Sequence, residues 1–185
     1  MPMGDSLSAP QLEVLLTSGQ IAARVRELAA LISSDYQGRT PHLVGVLKGA
    51  WIFLADLIRH LTVQSSVDFL GLESYAGGTT SSGEVKITRD LDASIAGRDV
   101  LVVEDILDTG RTYLYLQDLL TARRPRSVKL AVLLDKASRR RRVPVQADYV
   151  GFEIPDVFVV GYGLDYKQQF RGLPDLRYLP GSGGG

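Results

Sequence analysis

The sequence contains no cysteine, which excludes disulfides, thiolate metal sites and cysteine nucleophiles. It has only two histidines, His42 and His60, which are isolated and lack any metal-ligand spacing. It carries no net charge, because 21 lysines and arginines balance 21 aspartates and glutamates. No overall field therefore draws it to nucleic acid or to a membrane. A long hydrophobic run is missing too. The most apolar stretch, Leu43 to Leu61, is interrupted by Lys48, Asp56 and Arg59, too charged to span a bilayer. The opening MPMGDSLSAP has no basic segment followed by an apolar one, so no signal peptide is expected. What is present is a 185-residue chain, 45% hydrophobic and 23% charged, with enough apolar side chain for one buried core. We expect a single cytoplasmic domain over residues 1–180 and a flexible Gly-rich tail over 181–185.

Apolar positions Ile21, Val25, Leu28, Ala29 and Ile32 recur at helical spacing behind Ser18, a candidate N-cap. HLVGVLKG reads as a short buried strand ending in a turn, AWIFLADLIRHL as an amphipathic helix with Trp51 in the core, and VDFLGLESY as a second strand. AGGTTSSGE has almost nothing to bury and reads as a long mobile loop. RDVLVVED is a strongly apolar strand, followed by a helix over GRTYLYLQDLLTARRP that closes before Pro125. SVKLAVLLDK, ADYVGFE and VFVVGYGLDY read as three further strands. Strands alternating with helices predict an α/β fold, a parallel sheet with helices on both faces. Ligands of such sheets bind beyond the carboxyl ends of the strands.

The most informative segment is the junction Val102-Val103-Glu104-Asp105-Ile106-Leu107-Asp108-Thr109-Gly110-Arg111-Thr112. A helix opening at Gly110 offers unpaired N–H groups and partial positive charge, and glycine lets the backbone approach an anion closely. The hydroxyls of Thr109 and Thr112 add donors, so this half suits a phosphate monoester. The three carboxylates would repel that phosphate and suit sugar hydroxyls, a metal ion or a base proton. A ribose 5-phosphate satisfies both halves. Read blandly, the same residues are an N-cap aspartate with two solvated acids, which three acids on so apolar a strand disfavour.

VVEDILDTGRT resembles the signature of the type I phosphoribosyltransferases, and no GxxxxGK[ST] of a P-loop kinase occurs. From about His42 to Leu173 the chain is similar to the hypoxanthine-guanine branch of that family. The resemblance implies a type I fold with a small hood formed by the terminal segments. It also implies a magnesium-dependent transfer from phosphoribosyl pyrophosphate to hypoxanthine or guanine, and a homodimer or homotetramer. Leu47-Lys48-Gly49 matches the pyrophosphate loop, whose peptide before the lysine is often cis. Ser74-Tyr75 and the loop to Glu84 match a lid that keeps water from the sugar.

By the same resemblance Lys136 donates to the purine 6-oxo group, Phe158 stacks on the base, and the Val159 backbone meets the purine edge. Asp165 lies near magnesium and pyrophosphate, and Arg171 is a pyrophosphate ligand. Glu104 and Asp105 organise the ribose, directly or through magnesium, and Asp108 is the general base at purine N7. The amides from Asp108 through Thr109, Gly110 and Arg111 to Thr112 cradle the 5′-phosphate. Read alone, Lys48 is a solvent-facing lysine, Phe158 a core strand residue, Asp165 a turn residue and Arg171 a surface charge. The run Arg139 to Arg142 reads as a solvated face or a subunit contact. Two further readings are a nucleotide-sensing regulator on the same scaffold and a phosphoribosyltransferase preferring xanthine.

Overall fold

The computed structural model describes residues 11–74, 85–140 and 145–181. Six strands form the main sheet: β2 (His42–Leu47), β3 (Ser66–Ser74), β4 (Val85–Arg89), β5 (Asp99–Leu107), β6 (Ser127–Asp135) and β7 (Tyr149–Glu153). Their order is β4-β3-β2-β5-β6-β7. All neighbours run parallel except the edge strand β4, which is antiparallel to β3. A second sheet, β1-β9-β8, joins β1 (Glu13–Leu16) to β8 (Val159–Val160) and β9 (Leu176–Tyr178). This is the hood expected from the terminal segments.

Helices α1 (Ser18–Asp35) and α2 (Trp51–His60) cover one face of the main sheet, and α3 (Arg111–Thr121) covers the other. Alternation along β5 explains how both faces are served. Leu101 and Val103 join the core under α1 and α2, while Val100 and Val102 join the core under α3. All four are fully buried, as expected for a parallel strand covered on both sides. Among the described residues no helix is long and apolar enough to cross a membrane.

Helix α1 buries the periodic residues Ile21, Val25, Leu28, Ala29 and Ile32. Its N-cap is Thr17 rather than Ser18. The Thr17 hydroxyl accepts from the Gln20 amide while Gln20 Oε1 accepts from the Thr17 amide, a reciprocal cap that Ser18 cannot complete. The Ser18 amide instead donates to Asp175 Oδ1 at 2.9 Å and ties the helix to the C-terminal segment. Trp51 is not core. It opens α2 and is 48% exposed, because the inward face of that helix begins at Phe53.

VFVVGYGLDY is not one long strand. Only Val159–Val160 is extended, and Gly161, Tyr162 and Gly163 follow with φ of 99°, 48° and 104°. Three consecutive left-handed residues turn the chain back on itself. A Cβ on Gly163 would stand 2.2 Å from the Gly49 carbonyl oxygen, so this turn packs directly against the loop after β2.

Candidate active site

The chain leaves β2 toward β3 on one side, and β5 leads to β6 and β7 on the other. The strand order therefore reverses between β2 and β5, where a crevice opens at their carboxyl ends. A cavity of about 460 Å³ lies there. It is lined by Lys48 and Gly49 after β2, Glu104 to Gly110 and Thr112 at the β5–α3 junction, Lys136 after β6, and Phe158, Val159, Asp165 and Arg171 from the C-terminal segment. Arg111 is exposed on the first turn of α3 and does not line the cavity. Ser74 ends β3 opposite Val85. Tyr75 and the rest of the expected lid lie outside the described residues, as do Arg141, Arg142 and residues 182–185.

Gly110 takes the N-cap position of α3 with φ of 81°, and no side chain caps the helix. Its first-turn amides are thus left to a ligand, with the positive end of the helix dipole behind them. Opposite lie the acids. Glu104 is only 5% exposed. Burial pushes its carboxyl up to about 8, with Asp105 adding to the shift. Burial likewise pushes Asp105 up to about 6, against hydrogen bonding that includes the Ile106 amide on its Oδ1 at 2.8 Å. Among the described residues neither carboxylate has an ion-pair partner against it, although the Arg171 charge acts on Asp105 from a distance. Two desolvated acids side by side are costly unless something positive or hydrogen-bonding joins them.

The expected trio Glu104, Asp105 and Asp165 does not form a ready metal cage. Among the described residues no three acidic or imidazole side chains converge on one point. Asp165 is instead occupied by protein, its Oδ1 2.6 Å from Arg171 Nη2 and its Oδ2 accepting from the Gln168 amide. The paired hard oxygens of Glu104 and Asp105 still fit magnesium, which takes most of its ligands from water and phosphate.

The loop after β2 begins with a cis peptide between Leu47 and Lys48, as the resemblance implies. Lys48 is exposed at the cavity. Arg171 donates through Nη1 to the Gly163 carbonyl, so the turn after β8 orients it. Phe158 is 42% exposed and meets Tyr166 edge to face, with centroids 5.6 Å apart. It is therefore a wall of the cavity and not a core residue. Lys136, 7% exposed, reaches Asp156 at 3.4 Å.

Two neighbours of this cluster were not legible as site residues. Arg139 folds back over the strand ends on a short 3-10 turn (Ala137–Arg140) and places Nε 2.8 Å from Asp108 Oδ1. Its Nη1 bonds Asp156 Oδ2 at 2.9 Å. The arginine run reads from sequence as a solvated face or a subunit contact, because charge alone does not say where a turn will aim it. Asp156 carried no signal at all beyond its place beside Pro155.

Residues 11–167 match the phosphoribosyl transferase domain family. The chain belongs to this family. As a phosphoribosyl transferase it is 50% identical over 167 residues to the hypoxanthine-guanine phosphoribosyltransferase of Bacillus subtilis, covering 90% of this chain and 92% of that protein. It is 51% identical over 167 residues to the bifunctional protein TilS/HprT of Listeria monocytogenes, where it covers 90% of this chain and spans 26% of the relative's length. A hypoxanthine phosphoribosyltransferase structure from Staphylococcus aureus superposes with a TM-score of 0.86 at 44% identity, covering 94% of this chain and 96% of that one.

Proposed function

We propose that this phosphoribosyl transferase serves purine salvage, moving the 5-phosphoribosyl group from phosphoribosyl pyrophosphate to hypoxanthine or guanine and releasing pyrophosphate. The observation that carries the reading is the meeting, in one cavity, of an uncapped helix terminus, a buried acid pair, and a wall made by Lys136 and Phe158. The first holds a phosphate, the second a ribose, and the third a planar base with an acceptor oxygen.

In this reading the amides from Asp108 to Thr112 bind the 5′-phosphate, and Glu104 and Asp105 bind the ribose hydroxyls. Lys48, Gly49 and Arg171 hold the pyrophosphate. Phe158 stacks on the purine, Val159 meets its edge, and Lys136 donates to its 6-oxo group. Asp108 takes the N7 proton as N9 attacks the anomeric carbon, a role worth about 10²–10⁴-fold for a positioned base. Magnesium, held through Glu104 and Asp105, would neutralise charge on the departing pyrophosphate. Ser74 and Tyr75 belong to the lid that keeps water out.

We place the enzyme in the cytoplasm as a homodimer or homotetramer. Incubation with hypoxanthine, phosphoribosyl pyrophosphate and Mg2+ should yield inosine monophosphate. Guanine should also react, with adenine and xanthine well behind. No product from either oxopurine would end the reading.

A further inference from the structure

At the base end of the cavity four charges alternate in a row. Asp108 Oδ1 lies 2.8 Å from Arg139 Nε, Arg139 Nη1 lies 2.9 Å and 3.2 Å from the two oxygens of Asp156, and Asp156 Oδ1 lies 3.4 Å from Lys136 Nζ. We propose that Asp156 and Arg139 are positioning residues for base recognition, Asp156 holding the Lys136 ammonium and Arg139 holding the Asp108 carboxylate. The inference rests on the purine reaction proposed above and adds two residues to it.

The geometry suits holding without blocking. Only 9% of the Lys136 side chain is exposed, and a buried charge is costly unless an opposite charge joins it. Asp156 supplies it at 3.4 Å, long for a charged hydrogen bond, so the ammonium keeps N–H groups for an oxygen acceptor on a ligand. At the other end, Arg139 Nε is close to Asp108 Oδ1 but its N–H is misaligned, and among the described residues that buried oxygen has no hydrogen-bond partner. The pair supplies positive charge and leaves the lone pair for a ring N–H. Asp156 itself is fixed from behind. The Ile154 amide donates to the Asp135 carbonyl, and the Val157 amide closes a tight turn onto the Pro155 carbonyl.

The test is steady-state kinetics with hypoxanthine and adenine, at saturating phosphoribosyl pyrophosphate and Mg2+, on Asp156→Asn, Arg139→Gln and Arg139→Lys. Asp156→Asn should raise KM for hypoxanthine about tenfold or more, the scale of a weakened charged hydrogen bond. It should also narrow the margin over adenine and leave KM for phosphoribosyl pyrophosphate within about twofold. Arg139→Gln should lower kcat about tenfold, with part of the loss recovered by Arg139→Lys, which keeps the charge. In a Lys136→Gln background, Asp156→Asn should add nothing to the hypoxanthine KM. Equal losses for both bases and for the phosphoribosyl donor, or additive losses in the double variant, would overturn the positioning role even if stability fell. Wild-type constants in both variants would overturn it as well. An inactive wild-type enzyme would instead refute the purine reading itself.

Discussion

Gly49→Ala would place a methyl carbon 1.5 Å from Asp105 Oδ2 and 2.4 Å from Asp105 Cγ. Backbone conformation does not forbid it, since Gly49 is not among the residues with positive φ. The obstruction is steric. Carbon and oxygen need more than 3 Å between centres, so the carboxylate must retreat by about 2 Å or the loop must lift. The loop cannot lift freely, because the Gly49 carbonyl is packed against the Gly163 turn. Asp105 is also pinned, its Oδ1 accepting from the Ile106 amide at 2.8 Å. Rotating it away forfeits that bond and leaves crowding, for a combined cost of about 2–4 kcal/mol. For a chain of this size each kcal/mol lowers the melting temperature by about 2–4 °C.

Activity should fall further than stability. In the proposed mechanism Asp105 organises the ribose and Gly49 faces the pyrophosphate, so a misplacement of this size should lower kcat/KM for phosphoribosyl pyrophosphate by about 10²-fold. Differential scanning fluorimetry and steady-state kinetics read the two effects separately. Gly172→Ala, with nothing within 4 Å of its added methyl, is the control and should be close to wild type in both. In an Asp105→Ala background the stability cost of Gly49→Ala should shrink, because the obstructing oxygens are gone. Wild-type melting and kinetics for Gly49→Ala would refute the interlock of the two loops.

Asp108→Asn should lower kcat by about 10²–10⁴-fold while isothermal titration finds donor binding within a few-fold of wild type, the difference expected of a base that acts only on the purine proton. Lys136→Gln should narrow the preference for hypoxanthine over adenine in competitive assays, since among the two bases the lost ammonium favours only the one with a 6-oxo acceptor. His42 is 2% exposed, and burial, with the Arg98 charge adding to it and Asp68 opposing it, holds its imidazole below the usual range. The unfolded chain then binds the extra proton as pH falls below about 6.5, so His42 should make folding stability drop toward acid, and urea titrations at pH 7.5 and 5.5 should show a smaller drop for His42→Asn than for wild type.

Local patterns carried the parts of the fold that are local. The periodicity of α1, the apolar run of β5 and the acidic junction into α3 each lie within a dozen residues, and each stands where the sequence predicted. The terminal hood shows the opposite case. Its general placement was expected, but its strands are as short as two residues, and β1 finds β9 across most of the chain. Edge strand β4 was missed for a similar reason, since VKITR pairs with β3 only after the polar segment between them. Trp51 reads as core from the apolar face of its helix, yet it stands 48% exposed at the first position of α2, whose buried side begins at Phe53.

The site itself is a consequence of strand register. The pairing of β2 with β5 ends with Gly45 opposite Val103, and just beyond it Gly49 falls against the Asp105 carboxylate. Leu107 lies opposite Asp135, and Asp135 opposite Glu153. The next residues of the three strands therefore emerge side by side, Asp108 beside Lys136 beside the Ile154-Pro155-Asp156 turn, with the Lys136 amide on the Leu107 carbonyl and the Ile154 amide on the Asp135 carbonyl. Knowing that these segments are strands does not give this row. Knowing which strands are neighbours, and in what register, leaves little freedom for any other arrangement, because parallel pairing fixes the side and height at which each chain leaves the sheet. That explains why Asp108 and Lys136 could be named from sequence motifs while their counter-ions could not. Arg139 and Asp156 become site residues only once β5, β6 and β7 lie edge to edge.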